Sequence, residues 1–268
     1  MAKYLISETD HLVTSILDSL EVVSAKHRSA DSNHIFINFV YNLQVTYSDV
    51  LEAISGFIER HRKRLWRLHV TGSEIRTVLE DEEGNVISVQ CVIENASGFT
   101  VNFHGHQEIQ TDKGTTILKP IDEKDPLHLQ PVHQSHSTKE SLEPKRYQAH
   151  LVRKTYVYDF PNLFSKTLRN MWTKVRSFDS SLSPQKKLIQ TKELVLGENN
   201  QLAEVDRALG NNTFGIIAWV FSMKTPKYPN WRSVVAVANN IAHKIGSFSP
   251  AEDNFSTSPS STLATAAC

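Results

Sequence analysis

The sequence is poor in cysteine, lacks long apolar runs and carries no excess of either charge. Its 268 residues include two cysteines, Cys91 in an alternating apolar segment and Cys268 at the last position, which argues against a disulfide framework. Because 29 basic side chains balance 29 acidic ones, a protein dedicated to nucleic acid is disfavoured. No segment reaches the length of a membrane span, and the N-terminus lacks the features of a secretory signal. We therefore expect a cytoplasmic protein in which Cys91 is a buried thiol.

The N-terminal part of the chain alternates between helical and strand periodicity. Apolar residues recur at helical spacing over 5–24 and over 49–64, and alternation over 34–41 predicts a strand. The period then changes to two: "LWRLHV" predicts a further strand, and two hairpins follow, with turns at Gly84 and Gly114. Residues 1–128 are therefore interpreted as an α+β domain, two helices against an antiparallel sheet of about five strands.

The composition changes after this domain. Residues 129–160 are polar and contain prolines, which predicts an extended linker, and 161–175 return to helical spacing. Residues 186–206 indicate a short strand and a turn. The most apolar stretches, "FGIIAWVFSMK" and "WRSVVAVANNIAHKIGSF", predict two strands that are each buried on both faces.

The pattern ends in a helix start followed by a low-complexity tail. In "SPAEDNF", Ser249 is the expected N-cap, with Pro250 at the first helical position and Glu252 and Asp253 in the first turn. Residues 256–268 are almost wholly Ser, Thr, Ala and Pro, without periodicity.

Several histidines suggest a metal site at first sight. They are His104, His106, His128, His133, His136 and His150. Metal ligands must converge and be supported by surrounding groups, and no Cys or carboxylate spacing here matches a known metal motif. Surface histidines on a strand and a polar linker are the favoured interpretation, so no metal ligand is assigned.

Two further motifs have a plain structural explanation. The run "ERHRKRLWRL" (59–68) could contact phosphate, but cations at a helix C-terminus complement the helix dipole, and the neutral chain favours that interpretation. "SMKT" resembles a biotin-acceptor Met-Lys pair, yet Lys224 ends an apolar strand before a proline turn, and the acceptor role is rejected. No Ser/His/Asp arrangement, paired carboxylates or phosphate-binding glycine loop is present, so no catalytic or cofactor-binding residue is named.

Three long motifs nevertheless resemble the eukaryotic multidomain acetyl-CoA carboxylases. "TKESLEPKRYQAHLVRKTYVYDFPNLF" (138–164) resembles the segment that leads into the carboxyltransferase half of those enzymes. "EVDRALGNNTFGIIAW" and "KTPKYPNWRSVVAVANNIAHKIGSFSPAED" resemble segments that follow it. The matching positions are Lys145, Arg146, Tyr147, Ala149, His150, Tyr156, Val157, Tyr158, Asp159, Phe160, Pro161, Arg207, Gly210, Asn212 and Gly215. Ser141, Leu209 and "HQSHS" (133–137) depart from the family pattern.

The resemblance implies a segment of a larger enzyme. It implies that 1–128 end the non-catalytic central region, 129–160 form the linker, and 161–255 begin a crotonase-like α/β carboxyltransferase domain that is incomplete here. Tail 256–268 is unlike the family, and we expect a frameshift, an altered splice junction or a truncation at this point. In the family, biotin and ATP with a divalent metal serve carboxylation of acetyl-CoA to malonyl-CoA for fatty acid biosynthesis, but this chain is expected to bind none of these cofactors.

Two alternatives to an inactive enzyme segment remain open at this point. The chain could be a non-catalytic interaction protein that docks onto a full-length carboxylase through residues 1–175 or forms a homodimer, because carboxyltransferases of this family are dimers. It could also be an unstable product, because two buried strands without the rest of their sheet expose apolar edges.

Overall fold

A computed structural model describes most of the chain and divides it into two compact units. The described residues are 2–27, 32–80, 84–95, 97–121, 127–178, 187–196, 202–247, 249–250 and 252–253, with backbone alone for 2–9 and 245. The first unit comprises residues 1–143 and the second residues 144–268. The position of Cys268 and the low-complexity tail lie outside the described residues.

The first unit is a five-stranded sheet with two helices. In chain order its elements are α1 (Ala2–Lys26), β1 (Asn33–Leu43), α2 (Tyr47–Arg67), β2 (Val70–Glu80), β3 (Val86–Glu94), β4 (Asn102–Gln110) and β5 (Thr116–Pro120). The strands follow one another across the sheet in the order β1-β2-β3-β4-β5. The predicted α+β arrangement of two helices and five strands is confirmed.

Two details of the prediction for this sheet are wrong. The segment "LWRLHV" is not a strand, because Leu65 to Arg67 complete α2, where Leu65 is buried. The sheet is also not wholly antiparallel: β1 pairs with β2 in parallel, while the remaining pairs are antiparallel. The physical reason is that α2 runs between the two strands, and such a crossover returns the chain in the direction of the first strand.

Capping chemistry fixes the start of α2. The hydroxyl of Thr46 accepts a hydrogen bond from the Asp49 backbone N–H, and the Asp49 carboxylate accepts one from the Thr46 N–H at 2.9 Å. This reciprocal capping box satisfies two backbone donors that the first turn of a helix leaves free. Asp49 is the third helical residue of this box, and Thr46 is its N-cap.

The basic end of α2 pairs with acidic residues of α1. Arg60 donates to Asp10 at 3.0 Å, and farther along both helices Arg64 pairs with Asp18 and Glu21. The order of these pairs shows that the two helices run in the same direction. Arg60, Arg64 and Arg67 of the basic run thus pair with α1 within this unit, in contacts that are partly exposed and individually weak.

The second unit is built on a four-stranded antiparallel sheet. Its elements are α3 (Glu143–Leu151, which starts at the last residue of the first unit), a 3-10 helix (Val157–Asp159), α4 (Phe160–Phe178), β6 (Ile189–Leu196), β7 (Leu202–Val205), β8 (Ile216–Met223), β9 (Arg232–Asn239) and a 3-10 helix (Lys244–Gly246). The strand order is β7-β6-β8-β9. Strand β8 is buried on both faces from Ile216 to Phe221, as predicted.

Two expectations for this part of the chain are wrong. The linker 129–160 is not wholly extended, because helix α3 forms within it. Strand β9 is not buried on both faces: among the described strands it lies at the edge of its sheet, and Val234 and Val237 are 43% and 44% exposed. Its high apolar content could not reveal this, since a strand's neighbours and not its composition decide its burial.

Alanine substitutions at two glycines of the first unit should change the free energy of unfolding in opposite directions. Gly56 lies inside α2, and an added Cβ would approach only the flexible end of Arg60, at 3.3 Å. Gly56→Ala should therefore raise the free energy of unfolding by about 0.5–1 kcal/mol, because glycine loses more backbone entropy on folding.

At Gly105 in β4, an added Cβ would collide with the ring and hydroxyl of Tyr47. Gly105→Ala should therefore lower the free energy of unfolding by about 1–3 kcal/mol through overpacking. Urea unfolding of both variants of the full chain measures these changes. Effects of equal sign at Gly56 and Gly105 would contradict the described packing.

Candidate functional site

The aromatic segment of residues 156–164 packs against strand β8. The Tyr158 ring meets Trp219 edge-on with ring centroids 5.7 Å apart, and Phe164 lies 4.7 Å from Phe221. Tyr156 and Tyr158 are almost fully buried. We call Tyr156, Tyr158, Phe164, Trp219 and Phe221 the aromatic cluster. Such pairs bury large areas with few rotatable bonds, so the cluster fixes the start of α4 on the sheet.

A buried carboxylate lies beside this cluster. Glu193 of β6 is 5% exposed and stands directly opposite Trp219 in the β6–β8 pair. Its Oε1 accepts a hydrogen bond from the Tyr158 hydroxyl at 3.0 Å and another from Arg207 Nη2 at 2.6 Å. A charge this deep is tolerated only when it is paired and hydrogen-bonded, and both conditions are met here.

The same arginine organises the loop before β8. Arg207 also donates to Asn212 Oδ1 at 3.3 Å, and Asn212 Nδ2 donates to the backbone oxygens of Phe214 and Ile216 at 2.7 and 3.1 Å. We call Tyr158, Glu193, Arg207 and Asn212 the Glu193 network. It connects the aromatic segment, β6 and the entry to β8.

The electrostatics of the network indicate a structural role. Burial, followed by the charge of Glu193, raises the pKa of the Tyr158 phenol well above its ordinary range. The hydrogen bond to Glu193 raises the pKa of Arg207 as well. Near neutral pH Tyr158 is therefore a neutral hydrogen-bond donor and Arg207 a cation, and both are suited to hold the Glu193 carboxylate in place.

A second buried ion pair joins α3 to the 3-10 helix. Arg146 Nε donates to Asp159 Oδ1 at 2.6 Å, and the two side chains are 9% and 3% exposed. Nearby, Lys145 Nζ donates to the backbone oxygen of Gly210 at 3.3 Å. The structure thus places Arg146 and Asp159 in direct contact, and the two lie thirteen residues apart in the sequence.

Glu252 also binds the chain at the start of strand β8. Its Oε1 accepts a hydrogen bond from the Gly215 N–H at 2.9 Å, and its Oε2 accepts one from the Ser249 N–H at 2.7 Å as well as contacting the Ser249 hydroxyl. These bonds, the Ser249 hydroxyl first among them, lower the pKa of Glu252 to about 2. The contacts agree with the prediction of Ser249 as N-cap and Glu252 in the first turn.

The histidines singled out from the sequence do not converge. His104 lies 3.7 Å from Glu94, His136 Nε2 donates to Glu74 Oε1 at 2.9 Å, and His106 is fully buried. Within the described part of the chain, no group of three or more His, Cys, Asp or Glu residues could hold a metal ion. His128 and His133 lie in the segment after β5, and burial lowers the pKa of His150.

Two other residues considered in the sequence analysis, Cys91 and Lys224, are placed by packing and hydrogen bonding. Cys91 is a free, buried cysteine, as predicted, and burial raises the pKa of its thiol to about 12. Lys224 follows β8, and its backbone oxygen accepts a hydrogen bond from Trp172 Nε1 at 2.9 Å, while its ammonium lies 4.8 Å from the centre of the Trp231 ring. No helix among the described residues is both long and apolar enough to cross a membrane.

Sequence reasoning missed Glu193 as the centre of the second unit. The only available signal was one acidic residue within the apolar half of "IQTKELVL", which does not distinguish a buried carboxylate from an exposed one. The departures from the family pattern lie in different settings: Ser141 and Leu209 are exposed, and "HQSHS" contributes the His136 contact to Glu74 within the first unit.

Comparison with known proteins identifies the class to which this segment belongs. Residues 1–128 match the family model "Acetyl-CoA carboxylase, central region". The chain is 43% identical to the acetyl-CoA carboxylase of Schizosaccharomyces pombe over 95% of its own length, and 40% identical to that of Saccharomyces cerevisiae over 94%. A Saccharomyces cerevisiae protein named acetyl-CoA carboxylase, mitochondrial, is 31% identical over 93%. The chain spans 11% of the length of each of these relatives.

A solved structure is also similar to part of the chain. It is the crystal structure of the central domain of yeast acetyl-CoA carboxylase, with 34% identity and a TM-score of 0.46 over 52% of this chain and 20% of that one. The sequence matches establish the relationship without it: the chain belongs to the acetyl-CoA carboxylases, as a segment that includes part of their central region. The resemblance found in the sequence is confirmed.

The buried ion pair yields a test of the second unit. Asp159→Asn would remove the carboxylate charge that pairs with the buried Arg146 guanidinium, and we expect the free energy of unfolding to fall by about 3–5 kcal/mol. Glu204→Gln is a matched control, because it breaks the exposed Lys192–Glu204 pair and should cost less than about 1 kcal/mol. Urea unfolding followed by tryptophan fluorescence measures both. Equal losses of unfolding free energy in the two variants would contradict the stabilising role assigned to the buried Arg146–Asp159 pair.

Glu252 yields a test by pH. Its pKa is lowered from 4.5 to about 2 in the folded chain. The stability it contributes is therefore fully present above about pH 4.5 and is lost as pH falls toward about 2. Glu252→Gln should lower stability at pH 6 and flatten the dependence of stability on pH between 5 and 2. An unchanged slope in this variant would contradict the assigned contacts.

Proposed function

We propose that this chain forms a structural segment of an acetyl-CoA carboxylase. In this proposal, residues 1–128 end the central region, 129–160 are the linker, and 161–255 begin a carboxyltransferase domain with a crotonase-like fold. The observation that carries it is the buried network around Tyr158, Asp159 and Glu193. Tyr158 and Asp159 belong to the motif that resembles the family's linker. The Tyr158 side chain binds this segment to the second sheet through Glu193, and Asp159 binds it to α3 through Arg146.

The whole enzyme would supply the chemistry. Biotin, and ATP with a divalent metal, would serve the carboxylation of acetyl-CoA to malonyl-CoA in fatty acid biosynthesis. We assign no catalytic or cofactor-binding residue to this segment. Its contribution would be mechanical, because buried ion pairs and stacked aromatic rings fix where the second sheet begins and leave reactive groups to other parts of the enzyme. The cytoplasmic location stays a prediction.

A chimera tests this proposal. The matching segment of the Schizosaccharomyces pombe acetyl-CoA carboxylase would be replaced by residues 1–253 of this chain, and formation of malonyl-CoA from acetyl-CoA would be measured. We expect an active chimera whose activity falls at least about tenfold with Asp159→Asn and stays within about twofold with Glu204→Gln. The isolated chain should form no malonyl-CoA.

Two results would contradict the proposal. A chimera that folds and binds biotin but lacks activity would show that this segment cannot take the place of its relative. Malonyl-CoA formation by the isolated chain would show that it contains catalytic groups that the proposal does not assign.

The exposed edge of the second sheet favours a second candidate function. Trp231, Val234 and Val237 on or beside β9 are each more than two-fifths exposed. A chain with such an edge could dock onto a full-length carboxylase or pair with itself, since exposed strand edges are templates for association. Co-purification with a tagged full-length carboxylase tests docking. A monomeric chain that captures no carboxylase would remove this candidate.

A further inference from the structure

The zero net charge of the chain conceals two units of strong and opposite charge. Residues 1–143 contain 13 basic and 21 acidic side chains, whereas residues 144–268 contain 16 basic and 8 acidic ones. The first unit therefore carries a net charge of −8 and the second a net charge of +8. Because charges are screened beyond about 10 Å at about 0.1 M salt, a partner responds to the local surplus and not to the total.

The positive surplus is concentrated in the part of the second unit that follows β7. From Arg207 to Ala251 the sequence contains five basic residues and neither Asp nor Glu. Three of these cations, Lys224, Lys227 and Arg232, lie at the connection from β8 to β9. We call residues 224–232 the basic loop. Its residues 227–232 are all exposed, so the cations are accessible to a partner.

Two exposed aromatic rings accompany the cations of the basic loop. Tyr228 and Trp231 are 43% and 41% exposed. Lys227 Nζ lies 5.5 Å and Arg232 Cζ 4.7 Å from the centre of the Tyr228 ring, and Lys224 lies over the Trp231 ring. These are cation–π contacts, and each ring has a cation against it. Since nucleic acid bases stack on open ring faces, the occupied rings favour a different anionic partner.

Hydrogen bonds and prolines fix the shape of the basic loop. The Thr225 N–H donates to the Tyr228 oxygen, and the Tyr228 N–H donates to the Thr225 oxygen, each at 3.0 Å. Pro226 and Pro229 flank Lys227 and restrict the backbone on either side of it. A loop that is already ordered loses little conformational entropy on binding.

We propose that the basic loop binds the surface of a membrane that contains anionic lipids. Lys and Arg side chains are attracted to the anionic head groups of such a surface. Tyr and Trp rings lie favourably at the boundary between head groups and acyl chains, and the basic loop presents both kinds of side chain together. The association is peripheral, and it goes beyond the function proposed above and does not depend on it.

Vesicle flotation tests this proposal on the full chain. The chain should float with vesicles of phosphatidylcholine and about 30% phosphatidylserine, and not with vesicles of phosphatidylcholine alone. Raising NaCl from about 0.1 to 0.5 M should weaken binding at least tenfold. Equal binding to neutral vesicles, or no binding to either kind, would overturn the proposal.

Tryptophan fluorescence tests whether the basic loop enters the interface. Trp231 is the most exposed of the four tryptophans. On anionic vesicles its emission should shift to shorter wavelength, and the shift should vanish in Trp231→Phe. A shift that persists in this variant would contradict the assignment to the basic loop.

Two double variants of equal net charge locate the binding surface. Lys227→Gln with Arg232→Gln removes two cations of the basic loop, and partition onto anionic vesicles should fall by about fivefold for each charge, or about 25-fold in all. Lys113→Gln with Lys192→Gln removes two exposed cations outside the loop and should change partition by less than about twofold. Equal losses in the two variants would contradict the location.

Other anionic partners give different results in these experiments. Tighter binding of a short single-stranded RNA than of anionic vesicles would overturn the assignment to lipid. A salt-sensitive dimer that Lys227→Gln with Arg232→Gln dissociates would also overturn it, because the acidic first unit of a second copy would then be the partner.

Discussion

The second unit depends on the burial of one carboxylate. Glu193 lies in the middle of a sheet, between β7 and β8, where water cannot solvate its charge. A buried carboxylate without partners would destabilise the fold by several kcal/mol, so Arg207 and Tyr158 must reach it from two other parts of the chain. Tyr158 brings the aromatic segment with it, and Arg207 brings the loop that leads into β8. One electrostatic requirement thereby specifies the positions of three segments that are distant in sequence.

Tyr158 is the ring of the aromatic segment that meets this requirement. A tyrosine can bury its ring against Trp219 while its hydroxyl reaches Glu193, which neither a phenylalanine nor an aliphatic side chain could do. Asp159, one residue later, is satisfied by Arg146 of α3. The segment is therefore held on one side by stacking and on the other by paired charges. These contacts keep the aromatic segment in one position, because packed rings and paired charges allow few alternative arrangements.

Sequence periodicity predicted much of this fold, and the exceptions have physical reasons. The two helices and the hairpins were accessible because their apolar residues follow a regular period, and β8 was accessible because its apolar run is continuous. The end of α2 was not, because Trp66, Leu68 and Val70 alternate as in a strand, and only the packing of Leu65 and Leu68 against α1 and the sheet decides between the two periods. The exposure of β9 and the burial of Glu193 were inaccessible for a related reason, since both depend on neighbours that local sequence does not reveal. The residues of the Glu193 network other than Glu193 were found through family resemblance and not through spacing.

The most direct test of this account is native-state hydrogen exchange on the full chain. If the Glu193 network joins the aromatic segment to the sheet, the amides of β8 and of the second and third turns of α4 should open together with one common free energy, and Glu193→Gln should lower that value equally for both. If α4 opens at much lower free energy than β8, or if only one of them responds to Glu193→Gln, the network does not join them and the central claim is wrong.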